Sequence, residues 1–140
     1  MLKIVLGIFV GFVVWSILWI GTDELLARIF ADWYGADRAA YFEALSKGAP
    51  FTLSSTILLI SLIRGTIFTI LAGFISVSIS KEHSRTALFL GVLLLAVGVY
   101  AHSYSIFNFP VWYHLLFLGM LVPMTLVGGK LAKKQGQNDQ

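Results

Sequence analysis

The chain has 140 residues, of which 58% are hydrophobic and 12% charged. Soluble domains carry about 25% charged residues, so these figures and a mean hydropathy of +0.85 exclude an ordinary water-soluble globule and point to lipid as the solvent. The net charge is +3, but the basic residues lie in short segments between apolar runs, a membrane-topology pattern and not a nucleic-acid surface.

The opening MLKIVLGIFVGFVVWSILWIG has a basic start and a long apolar run. A signal-peptide core takes about 7–15 residues, and no small-x-small cleavage site follows, so a retained first span is expected over 3–22. Next comes ADWYGADRAAYFEALSKGAPF, with Trp33, Tyr34, Tyr41 and Phe42 as interfacial aromatics. Asp37 suits an N-cap and Gly48 a helix stop before Pro50, which predicts a short interfacial helix over 37–47, lying flat on the outer leaflet or capping the bundle. Residues 23–30 fit either a continuation of the first span or a separate interfacial turn.

Further spans are expected over 54–80, 86–104 and 110–131, each near the roughly 20 residues a bilayer requires. Asn108 and Pro110 suit a helix start, and Pro123 should kink the last span. GGKLAKK reads as a helix end with a basic anchor, and 133–140 as a frayed polar tail. The fold class is therefore all-α: a polytopic membrane protein, a bundle of four transmembrane helices plus the interfacial helix, in one domain over 1–132.

With four crossings, Lys3, Lys81, Arg85, Lys130, Lys133 and Lys134 share one side. Arg28, Arg38 and Lys47 share the other with Asp23, Glu24, Asp32, Asp37 and Glu43. Basic excess marks the cytoplasmic face, so both termini are expected inside, in the plasma (inner) membrane of a bacterium.

Helices in lipid associate through small residues. Gly7 and Gly11 form a GxxxG; Ser61, Gly65, Thr69 and Gly73 line one side of the second span; Ala87, Gly91 and Gly98 line the third up to His102. These stripes are expected to hold the chain's own helices together, with a homodimer through Gly7 and Gly11 as the alternative.

Arg64 is the one charge well inside a span, in LLISLIRGTIF. It falls about seven residues from Ile57, roughly 10 Å at helical rise, in the outer third. Asp23, Glu24, His102, His114, Tyr104, Tyr100 and Tyr113 fall at similar depth. Three accounts fit this asymmetry. Arg64 pairs with Asp23 or Glu24 and fixes two spans in register. Or it faces an outward pocket and holds an anionic group such as a lipid phosphate, a carboxylate or a quinone oxygen. Or His102 and His114 ligate a haem or metal, although no third ligand or spacing motif accompanies them. His83, in KEHSR, reads as solvated.

Motifs for phosphate loops, zinc proteases and serine hydrolases are missing. The four-span plan resembles small multidrug-type transporters in hydropathy alone. Those carry a glutamate inside the first span; 3–22 has no acid, so proton-coupled export of that kind is not expected. The expected role is non-enzymatic, without cofactor or nucleic acid: an accessory or interaction subunit in the bilayer, with a homodimer or membrane-protein partner. The alternative is a binder or transporter of a small anionic or amphipathic ligand, a lipid or quinone, through Arg64.

Overall fold

The computed structural model describes residues 1–138 apart from His83, which leaves the expectation for that histidine outside the described residues. Every regular element among the described residues is helical. Helix α1 spans Leu2–Ile29, a π-helical turn Ala31–Gly35, α2 Ala36–Lys47, α3 Ser55–Ser80, α4 Arg85–Tyr104 and α5 Val111–Asn138. Four of these, α1, α3, α4 and α5, are long and apolar enough to cross a membrane, consistent with a multi-pass helical bundle.

Helix α1 runs seven residues past its expected end, because nothing after Thr22 breaks it: Glu24, Leu25, Leu26, Ala27 and Arg28 are all good helix formers. Asp23 and Glu24 therefore ride on a rigid element. Helix α5 likewise continues through Gly128, Gly129 and the expected tail to Asn138, so GGKLAKK is helix interior and 133–138 are helical. Asp37 is not an N-cap. The chain enters α2 already coiled from the π turn, so no free N-terminal donors await it, and Asp37 lies in the first turn. Gly48 does end α2, with φ at +62° in the left-handed region that glycine tolerates. Ser54 caps α3 by accepting from Ile57 N at 3.4 Å.

At the opposite end of the bundle, the Glu82 carboxylate accepts from the backbone N–H of Ser84 at 3.2 Å and of Thr86 at 2.8 Å, at the start of α4. Desolvation is the largest single influence and raises this carboxyl, but hydrogen bonds from Thr86, Arg85 and Ser84 together outweigh it and hold it below the usual carboxylate range.

Packing follows small residues. Helix α3 is central, against α5 on one side and α1 on the other. Gly7 and Gly11 are buried in contact with Ser76, Ser80 and Ala72 of α3 and with Thr86 and Leu90 of α4. That stripe is thus used within the chain, and a homodimer would need another face. Gly73 and Gly128 bring the backbones of α3 and α5 together: a Cβ on Gly128 would overlap the Ile70 carbonyl and the Phe74 amide. Polar groups point inward, and the indole N–H of Trp15 donates to Thr69 Oγ1 at 3.1 Å. The outside is apolar. Ile63 is 61% exposed while its neighbour Arg64 is 8% exposed, the inverse of a soluble helix.

Candidate functional site

Helix α2 folds back across the end of the bundle where α1 stops and α3 starts. It is fastened on two sides. Arg38 Nη1 donates to Glu24 Oε2 of α1 at 2.9 Å. The Tyr41 hydroxyl bonds Ser105 at the end of α4, and its ring stacks on Phe109 at 5.5 Å. Beneath this cap lies a cavity of about 450 Å³ walled by aromatic and aliphatic side chains, with Asp23, Arg38, Ser61, Arg64 and His102 among its polar lining.

Asp23 is the hub. Its Oδ1 accepts from the Tyr34 hydroxyl at 2.5 Å and from Arg64 Nη2 at 3.3 Å. Its Oδ2 lies 2.8 Å from Arg38 Nε, an ion pair not aligned as a hydrogen bond. Glu24 shares Arg38 and also pairs with Arg28, at 2.9 Å. Three guanidiniums thus meet two carboxylates, which leaves one excess positive charge at the site.

Arg64 is the least satisfied of the three. Its side chain is 9% exposed, and its guanidinium lies over the Trp19 ring at 4.9 Å. Beyond the single Asp23 bond, Nε and Nη1 are buried and have no hydrogen-bond partner among the described residues. Unpaired donors on a buried charge are costly, so a structure built only to pin α1 to α3 would be expected to pair them.

Tyr34, in the π turn, is 2% exposed. Burial and then its bond to Asp23 push its hydroxyl up to about 12 from an ordinary 10.0. The folded chain therefore keeps this proton longer than the unfolded one. The associated stability is complete below pH 10 and is lost as pH rises through about 12. Tyr34→Phe should flatten the alkaline limb of the stability curve; a limb of unchanged steepness would remove Tyr34 as its source.

The expected polar cluster divides in two. Arg64, Asp23 and Glu24 join Arg38 and Tyr34. His102 and His114 instead face each other, Nδ1 to Nδ1 at 2.6 Å, one donating and the other accepting. His102 also stacks on Tyr113 and Phe117 at 5.7 and 5.0 Å. Metal–nitrogen bonds are about 2.0–2.1 Å, so the two Nδ1 atoms as placed leave no room for an iron or zinc between them. Among the described residues no group of three or more His, Asp or Glu could hold a metal ion. Tyr104 lines the cavity, is exposed, and donates to Tyr100 at 2.8 Å instead of joining Arg64.

Arg38, Tyr34 and Tyr41 are site residues that sequence reasoning treated as loop charge and interfacial aromatics. A signal existed. Two adjacent acids at a span end need more than one arginine, and Arg28, Arg38 and Lys47 were the cations nearby. Compared with known proteins, the chain matches no family model, no curated protein and no solved structure.

Proposed function

We propose that this protein is a membrane-embedded binder of a small anionic or amphipathic molecule, held head-first in the cavity beneath α2. The observation that carries the reading is Arg64: a buried guanidinium at a cavity of about 450 Å³ with Nε and Nη1 unpartnered among the described residues. Arginine's planar fork suits a phosphate, a carboxylate or a quinone oxygen, and such a group would supply the missing acceptors. The excess positive charge of the site favours an anion, and the aromatic walls favour an apolar body.

The proposed role is binding. Ser61 and Ser105 line the cavity, and neither is hydrogen-bonded to a histidine or carboxylate that would activate it, among the described residues. An accessory role, the first expectation from composition, has no comparable feature behind it. Native mass spectrometry of the protein purified in mild detergent tests the reading. Wild type should retain a small acidic adduct that Arg64→Gln loses. A bare wild-type spectrum, or an adduct equally abundant in the variant, would count against it.

The proposed setting is the plasma (inner) membrane of a bacterium, with both termini cytoplasmic and α2 at the outer interface. The loop charges support this orientation. Ser46 on α2 and Ser84 at the start of α4 are both exposed, and the chain has no native cysteine. Ser46→Cys should react with an impermeant maleimide applied to intact cells, and Ser84→Cys only after permeabilisation. The opposite pattern would invert the topology.

A further inference from the structure

A second cavity, of about 280 Å³, lies between α1 and α4 and is lined by Trp15, Ser16, Ile20, Val97 and Gly98 among others. It shares Trp19, Ala101 and His102 with the cavity beneath α2, so the two meet along one wall. Their chemistry differs. The α2 cavity carries Arg38, Arg64 and Asp23; the α1–α4 groove is apolar apart from Ser16 and His102, and the Ser16 hydroxyl is already spent on the Phe12 carbonyl at 2.9 Å. The groove also opens sideways. Ile20 on its rim is 66% exposed and Ala101 is exposed, on the apolar outer surface of the bundle. From the other direction α2 stands in the way, fastened by Arg38 and Tyr41.

We propose that the ligand is a bilayer lipid with an anionic head: its oxyanion meets Arg64 under α2, and one apolar chain lies in the groove between α1 and α4. The inference rests on the anion-binding reading above and deepens it. The site selects a membrane-borne amphiphile over a free ion, because the receptor for the head adjoins an apolar groove that opens on the outer surface of the bundle. Charge fixes which end goes where. The unpartnered, nine-tenths buried Arg64 is at the head end, and the groove offers a chain nothing but apolar contact.

Two phosphates of equal head and unequal chain, butyl phosphate and tetradecyl phosphate, test this on the full-length protein in one neutral detergent. Inorganic phosphate serves as the free-ion control. Wild type should bind tetradecyl phosphate more than about tenfold tighter than butyl phosphate. Val97→Trp, which fills the groove without touching Arg64, should erase most of that difference and leave butyl phosphate affinity unchanged. Ser16→Trp, on the facing wall, should do the same and stands in if Val97→Trp does not purify as a monodisperse species. For a given phosphate, partition into micelles is the same with wild type and variants and cancels in that comparison. Equal chain dependence in wild type and both variants would overturn the lipid assignment while leaving the anion site intact. So would inorganic phosphate binding as tightly as the long-chain phosphate. No binding of any phosphate would overturn both readings.

Discussion

Arg64→Met is expected to leave the thermal midpoint of the purified protein unchanged or higher, whereas Asp23→Ala lowers it clearly. Arg64 gives up little: one bond at 3.3 Å and a stack on Trp19, against a buried charge with two orphaned donors. Removing one partner of a buried ion pair is costly where it leaves the other charge uncompensated; Asp23 is not left so, and a change within about 1 kcal/mol is expected. Asp23 would retain Tyr34 and Arg38. Removing Asp23 is different. It strands the Tyr34 hydroxyl and sets Arg38 and Arg64 against each other without their shared anion. Breaking such a pair costs about 3 kcal/mol or more; the low end applies, because the Asp23 side chain is 26% exposed. Thermal unfolding followed by tryptophan fluorescence measures both. A large loss in Arg64→Met, equal to that in Asp23→Ala, would make Arg64 a structural pin.

Gly128→Val should be the most damaging single change in the chain. The added carbons would overlap the Ile70 carbonyl and the Phe74 amide, backbone atoms that cannot swing aside. Overpacking a core costs about 1–3 kcal/mol when side chains can move; here the α3 and α5 axes must part, and with them the small-residue contacts that hold helices together in lipid. The site would go too, because α3 carries Arg64 and α5 carries His114. Gly119→Ala is the matched control on the same helix. It meets nothing within 4 Å, and alanine's better helix propensity should stabilise by up to about 1 kcal/mol. Expression yield and monodispersity in detergent separate the two variants; equal behaviour would contradict the close α3–α5 approach.

What could be read beforehand followed from periodicity and cost. Apolar run length marked the four long helices, and small residues at four-residue spacing marked the faces they bury. Arg64 stood out because a charge inside a span is expensive. A cap was one of two placements open for the helix over 37–47, but the way it is fastened over the site was not legible. Its position depends on the π turn at Ala31–Gly35, which has no hydrophobic period, and on Arg38 reaching back fourteen residues to Glu24. The helix end at Ile29 was left open and that at Asn138 was placed too early, because apolar residues stop before both and good helix formers carry the helices further. Depth alone also merged the histidines with Arg64. Hydrogen bonding separates them, since His102 and His114 bond each other through Nδ1 and, among the described residues, neither bonds Arg64.

The central claim is that the buried Arg64 guanidinium receives an oxyanion. Nitrogen-15 NMR of the protein labelled at arginine side chains reads that group directly. The Arg64 Nε–H signal is identified by its loss in Arg64→Gln. Titration with dodecyl phosphate should shift it downfield in a saturable way, while dodecyl maltoside, of equal chain but neutral head, should not. An Nε–H signal that stays in place through the phosphate titration would contradict the account.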